Sequence, residues 1–397
     1  MQIDSIRISN YRCLRSVNLD KLSRINVFAG RNSTGKSSLL EAIAMASSAS
    51  AAWFDTLEND LLEDIIDQRG GFSHASLMIR TGAAKAEIEY KGGESCGTVY
   101  VVKDAKELSE SARSALTMSF DRHVEEVYNE EMDRMAGTKR YESKQREILI
   151  RNLERKCSKA RREILRQPEL CIAGIGKASG ESETAALFAE AREAIVDSDI
   201  DSFIPQEEII RSSEPKAGDT FFSFIPSVET LKELNRRLTV SGQLATLIKK
   251  LRRQIDYFED MREVEDDLFV FKKNVDRPFP VESMGDGFSS LLALLAAATV
   301  AEKGVMLMEE PEMHLHPGFM SLITRHIIDT ASRRKAQYFI STHSSDLIEL
   351  LLEAPENMIS FVRMYRIGGK GEMDYEVLSG KEAHEELKDM KMDLRGI

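Results

Sequence analysis

The sequence predicts an α/β head whose two halves are separated along the chain by a helical insertion. Three observations carry this expectation. A strand-like run, Ile25-Asn26-Val27-Phe28-Ala29, opens into a glycine-rich loop at Gly30 and then a helical pattern at Leu39, Leu40, Ile43 and Ala44. After about Leu268 the same strand–helix alternation resumes and continues to the end. Between the two, residues 104–166 are charged and helical in pattern. The expected division is 1–103 for the N-terminal lobe of the head, 104–268 for the insertion and 269–397 for the C-terminal lobe.

In chain order, Ile3, Ile6 and Ile8 open a first strand ahead of the one that ends at Gly30. Short β-like runs at Leu77–Arg80, Ala86–Tyr90 and Thr98–Val102, separated by Gly82 and Gly92-Gly93, predict a small antiparallel lobe beside a mixed sheet. The insertion holds a helical hairpin over about 109–167 with a turn near Gly137. Ile150, Leu153, Cys157, Ala160 and Ile164 are spaced 3, 4, 3 and 4 apart, a short coiled-coil seam. Gly174, Gly176, Gly180, Pro205, Pro215 and Gly218 mark 172–220 as a mobile connection. Helical pattern returns from Val228, with Leu244, Leu247, Leu251, Ile255 and Phe258 on one face.

Composition narrows the class. The 397 residues are 42% hydrophobic and 30% charged, which reads as soluble and globular. Acidic residues outnumber basic ones by 66 to 54, so contact with nucleic acid would need a local patch. The N-terminus enters a strand at once, with Asp4 and Arg7, unlike a signal peptide. The longest apolar run, Leu291–Ala301, is too short to span a bilayer. Cys13, Cys96, Cys157 and Cys171 form no close pair, which predicts a reduced, cytoplasmic protein without structural zinc.

Gly30-Arg31-Asn32-Ser33-Thr34-Gly35-Lys36-Ser37 matches every position of the P-loop pattern, in the required strand–loop–helix context. Glycines let consecutive backbone amides curl around phosphate oxygens, and the helix N-terminus adds partial positive charge. Lys36 is expected to reach the β- and γ-phosphates of ATP. Ser37 is expected to offer its hydroxyl to Mg2+, with Ser38 completing the nucleotide-binding set. Val305-Met306-Leu307-Met308 reads as a strand buried on both faces, and it ends in Glu309-Glu310. Two carboxylates at such a strand end are costly unless a cation or a reacting water uses them. Glu309 is expected to hold magnesium through its water shell, and Glu310 to orient and deprotonate the attacking water.

The order of the P-loop, Ser283-Met284-Gly285-Asp286-Gly287-Phe288, Glu309-Glu310-Pro311-Glu312 and Ser341-Thr342-His343-Ser344 resembles the ABC ATPase superfamily. It is most similar to the soluble OLD/RecF-type branch, over roughly residues 1–100 and 220–397. Met284–Phe288 stands at the superfamily's signature motif. Gly287 keeps one glycine in register, Gly285 replaces the usual serine and Asp286 the other glycine. A glutamate as Walker B acid is a further OLD-like feature. The resemblance implies an ATP-hydrolysing homodimer that sandwiches nucleotide, alone or within a higher oligomer. In it Ser283, Gly285, Asp286 and Gly287 act in trans on the partner's γ-phosphate, and His343, after the strand Tyr338-Phe339-Ile340, contacts the γ-phosphate. It also implies a separate effector, such as a Toprim-type nuclease in anti-phage defence. A RecF/SMC-like DNA-repair ATPase and a trigger-sensing scaffold with little turnover are the alternatives.

Other signals weigh less. His314 and His316, close to Glu312, could suggest a metal site but fall where the resemblance places the dimer-contacting D-loop. Lys139–Arg166 holds eleven basic and four acidic residues, a net of +7, which reads first as a solvated face and second as a DNA-, RNA- or protein-binding arm. The Cys-x-x-Cys of zinc-hook repair ATPases is missing, and the insertion exceeds that of transporter nucleotide domains. About 54 residues follow His343 with no Asp-x-Asp among them, so the expectation is an ATPase half without a Toprim domain.

Overall fold

The computed structural model describes residues 2–48, 77–93, 95–102, 168–177, 184–191, 210–211, 220–223, 228–265, 267–301, 304–334, 336–367 and 372–389, with 110, 151, 155 and 394. Alternating buried and exposed residues build an antiparallel sheet at the N-terminus. β1 (Ser5–Tyr11) and β2 (Leu14–Asp20) pair with Ile6, Ile8, Val17 and Leu19 inside. The next strand, β3 (Ile25–Gly30), leaves for a second sheet, while β4 (Lys85–Gly92) pairs with β1 and β5 (Ser95–Val102) with β4. Leu77–Arg80 forms no strand. Met78 accepts a hydrogen bond from Arg12 N and Arg80 N donates to Asn10 O, so this segment covers the β1–β2 turn.

The reading of 172–220 as a mobile connection is corrected for the described residues within it. β6 (Pro168–Lys177), β7 (Thr184–Ala191) and β8 (Ile210–Arg211) extend the antiparallel sheet to the order β2-β1-β4-β5-β6-β7-β8. Gly174 and Gly176 lie inside β6, opposite Val99 and Gly97. An existing edge supplies ladder hydrogen bonds that outweigh the backbone entropy cost of glycine. Val102 faces Cys171 across this ladder, so residues 103–167 depart from and return to neighbouring strands. The hairpin expected over 109–167, its seam and the basic stretch lie outside the described residues, apart from Glu110, Arg151 and Arg155.

The second sheet has the order β16-β15-β3-β14-β13-β9. It takes β9 (Thr220–Ser223), β13 (Val305–Glu309), β14 (Gln337–Thr342), β15 (Ile359–Ile367) and β16 (Glu372–Ser379). All neighbours run parallel except β15 and β16. Since β3 is inserted between β14 and β15, the two chain ends build one head, as the α/β expectation requires. The strands are apolar on both faces because both are covered. Ile25, Val27, Met306, Met308, Tyr338 and Ile340 face one core with the helices Asp286–Val300, Pro317–Arg334 and Ser345–Leu351. Phe28, Val305, Leu307 and Phe339 face another with the helix Lys36–Ser48 and the antiparallel sheet. Gln337 stitches the sheets together, accepting from Ile3 N at 2.7 Å and donating to Ile3 O at 2.8 Å.

Helices Val228–Val240 and Leu244–Gln254 lie against the helical core, followed by a small sheet of β10 (Phe258–Val264), β11 (Asp267–Lys272) and β12 (Phe279–Pro280). The helical face expected to reach Phe258 is therefore corrected: the helix stops at Gln254, Ile255 is extended and Phe258 opens β10. Leu251, Ile255 and Phe258 are all buried in the same core, so the apolar spacing persists although the backbone changes. Among the described residues, no helix is long and apolar enough to cross a membrane.

A buried polar contact ties this layer together. Lys250 Nζ lies 2.5 Å from His326 Nδ1, whose Nε2 is 3.2 Å from Thr299 Oγ1. Burial, and then the Lys250 charge, push the His326 imidazole down to about 3. The folded protein therefore refuses a proton that the unfolded chain accepts near pH 6.5. The neutral ring's contribution is intact above pH 6.5 and is lost as the pH falls towards 3, by about 1.4 kcal/mol per pH unit. Thermal melts from pH 7 to 4 are expected to decline more steeply for the parent than for His326→Gln; parallel curves would count against this assignment.

Candidate functional site

Parallel neighbours bring their C-terminal ends to one edge of a sheet, the usual place for ligands in such sheets. Here β3 delivers the phosphate loop, β13 the acidic pair and β14 the Thr342-His343 segment. Ala29 pairs with Thr342, and Glu309 with Ser341. Residues more than 300 positions apart in the numbering thus meet because of topology.

The loop is shaped for an anion. A Cβ on Gly30 would lie 2.5 Å from Met364 O and 2.7 Å from Thr34 Oγ1, so β15 and the loop close on a bare backbone. Ser33 and Gly35 have φ of 61° and 94°, which turns the chain sharply before the helix begins at Lys36. Thr34 Oγ1 donates to Arg31 O at 2.8 Å, while Arg31, Asn32 and Ser33 are exposed at the mouth. Ser37 and Ser38 sit in the first helical turn. The Lys36 ammonium is buried and donates to Gly30 O at 2.9 Å and Arg31 O at 3.1 Å. Burial pulls its pKa below the ordinary lysine range, and the carboxylates of Glu310, Glu312 and Glu309 oppose that pull. The acidic cluster therefore faces the lysine.

Glu310 follows the strand end at φ 44°, unusual for a side-chain-bearing residue, and its N–H donates to Ser341 O at 2.9 Å. Such backbone costs on the order of 1–3 kcal/mol and clusters at functional sites. Its Oε1 is 3.1 Å from His343 Nδ1. Glu312 Oε1 accepts from Thr342 Oγ1 at 2.5 Å and from His343 N at 3.2 Å, and lies 3.7 Å from His343 Nδ1. Its other oxygen, Oε2, is buried without a hydrogen-bond partner, as is Ser341 Oγ. A buried orphan costs about 1–3 kcal/mol. Carboxylate oxygens accept, so the His343 Nδ1 beside these two carries hydrogen.

The signature residues lie elsewhere. Gly285, at φ 86°, opens the helix Asp286–Val300, and Ser283 donates to Pro280 O at 2.7 Å. Ser283, Gly285 and Asp286 are exposed. A Cβ on Gly287 would lie 2.5 Å from His314 O, so the signature helix and the loop after the acidic pair pack backbone to backbone. Among the described residues, no hydrogen bond or ion pair joins the signature residues to the phosphate loop of the same chain. His316 Nδ1 accepts from Gly318 N at 3.2 Å, using the ring to cap a helix.

Two contributors escaped the sequence. Arg366 on β15 donates twice to Ser33 O, at 3.0 and 2.6 Å, and braces the loop. Nothing local marks it; only the pairing of β15 with β3 places it there. Glu312 was visible as a third carboxylate after Glu309-Glu310, but its bonds to Thr342 and His343 depend on β13 lying beside β14.

The residues fit a magnesium–nucleotide complex. The tight cradle suits phosphate, and Ser37 with Glu309 offers the hard oxygen donors that a small divalent cation takes alongside substrate oxygens. The AAA ATPase domain family model matches residues 1–348. An uncharacterized protein of Methanocaldococcus jannaschii is 27% identical over 117 residues, which are 28% of this chain and 100% of that protein. A second from the same organism is 37% identical over 75 residues, 19% of this chain and 33% of that protein. Protein ea59 of Escherichia phage lambda is 30% identical over 128 residues, 31% of this chain and 24% of ea59. The chain thus spans about a third and a quarter of the latter two. Among solved structures, an SMC head bound to the C-winged helix domain of ScpA aligns over 99% of this chain and 100% of its own, at 11% identity and TM-score 0.45. The SMC head domain of Thermotoga maritima aligns over 96% and 99%, at 11% identity and TM-score 0.39.

Proposed function

Since the chain belongs to the AAA ATPase domain family, we propose that it binds and hydrolyses ATP as an ABC-type, OLD-like dimer switch. The observation that supports this best is the meeting of Lys36, Glu310 and His343 at one sheet edge while Ser283, Gly285 and Asp286 of the signature are exposed.

The chemistry follows from the residues. Backbone amides of Gly30–Ser37 receive the phosphates, with the helix N-terminus behind them. Lys36 exchanges the carbonyls of Gly30 and Arg31 for phosphate oxygens. Ser37, and Glu309 through the ion's water shell, would hold magnesium, which would supply charge neutralisation at the phosphates. Glu310 accepts the proton of the attacking water, and His343 holds Glu310 on one side and presents Nε2 to the γ-phosphate on the other. Ser283, Gly285, Asp286 and Gly287 complete the site of a second copy, and closure of that dimer is the switch. The hairpin expected over about 109–167 serves as the recognition arm, and the output is a separate cytoplasmic effector, with a Toprim-type nuclease in anti-phage defence as the leading candidate.

Subunit mixing tests the trans arrangement. Lys36→Ala and the exposed Asp286→Arg are each expected to be inactive as homodimers. A mixed dimer contains one intact composite site, so a 1:1 mixture is expected to regain about a quarter of the parent activity for a two-fold dimer. A mixture as inactive as its components would overturn the in-trans site; an inactive parent protein would overturn hydrolysis itself.

A further inference from the structure

We propose that Glu312 is the positioning residue of this site, fixing His343 against Glu310. The proposal rests on the ATP-hydrolysis reading above. One carboxylate oxygen gathers three groups of the histidine segment: the Thr342 hydroxyl at 2.5 Å, the His343 amide at 3.2 Å and the His343 ring Nδ1 at 3.7 Å. Thr342 Oγ1 in turn accepts from Ser344 N at 3.0 Å, and Ser344 caps the following helix by accepting from Leu347 N at 3.3 Å. Backbone, ring and helix start are thus referenced to a single buried anion on the neighbouring strand's loop.

The imidazole has a carboxylate on either side of the same nitrogen. Glu310 binds it more closely and is the group placed next to the reacting water; Glu312 binds the backbone as well. Without Glu312 the ring loses one of its two carboxylates and the segment loses its tie at the backbone, so the ring, whose side chain is 45% exposed, gains freedom to swing. A residue present only for packing would not leave Oε2 buried and unpartnered beside the phosphate lysine. Glu312 acts through His343 and Glu310, and touches neither substrate nor product in this role.

A double-mutant cycle tests it, with kcat, KM and affinity for a non-hydrolysable ATP analogue measured for each variant. Glu312→Ala is expected to lower kcat about 10- to 100-fold with analogue affinity held within about three-fold, the mark of an interaction that matters in the transition state. Glu312→Gln, which keeps an acceptor for Thr342 and His343, is expected to recover most of the loss. In a His343→Ala background, Glu312→Ala is expected to cost at most about two-fold more, because its route is gone. Losses that multiply in the double variant, or analogue affinity falling as far as kcat, would overturn the proposal. Should Glu312→Ala fail to fold by thermal melt, Thr342→Val carries the test, since it removes one donor to Oε1 and is expected to show the same kcat-weighted loss; unchanged kcat there overturns the proposal. An inactive parent refutes hydrolysis, whereas an active parent with an equally active Glu312→Ala refutes only the role of Glu312.

Discussion

Glu310→Gln is expected to lower kcat by about 10²–10⁴-fold while ATP still binds, the range over which a general base acts. Glutamine preserves length and can still meet His343 Nδ1 through its carbonyl oxygen, so the 3.1 Å contact survives in kind. It cannot take a proton from water. Backbone strain at φ 44° is the same for both side chains, so folding should be unaffected. Single-turnover chemistry on pre-bound ATP separates the effects: the bound nucleotide should remain ATP, and dimers should accumulate by sedimentation. Turnover at the parental rate would remove Glu310 from the role of base.

Lys36→Ala acts on binding. The buried ammonium is the cation nearest the expected phosphates, and it faces three carboxylates. Its loss removes charge-assisted contacts to the nucleotide and leaves Glu309, Glu310 and Glu312 repelling the incoming anion. Affinity for magnesium–ATP should fall at least about 100-fold, equivalent to about 3 kcal/mol, by equilibrium titration. The carbonyls of Gly30 and Arg31 also lose their donor, so the melting temperature needs to be followed beside affinity. Parental affinity in a folded variant would refute the phosphate-loop assignment.

Much of the head was legible because its signals are local. The loop from Gly30 to Ser37 carries its own turn, helix start and lysine, and the run Val305–Met308 has the apolar continuity of a strand covered on both faces. What was illegible depended on pairing. β6 and β7 looked like linker because Gly174 and Gly176 within β6, and Gly180 between the two, outweighed a period-two pattern that only a waiting edge makes meaningful. Phe258 looked helical because a turn and a strand returned it to the core at helix-like spacing. Arg366 and the clasp of Glu312 on Thr342 and His343 join strands that are neighbours in the sheet and distant in the chain. No window of sequence contains both partners.

The pairing of Val102 with Cys171 has a mechanical consequence. The intervening residues, 103–167, leave and re-enter at two adjacent strands, so force applied through them reaches the head at the β5–β6 ladder. The nucleotide edge belongs to the other sheet, which β5 and β6 do not enter. The antiparallel sheet that they enter shares a core with the helix that begins at Lys36. Force entering there reaches the helix that carries Ser37 and Ser38 through one shared core.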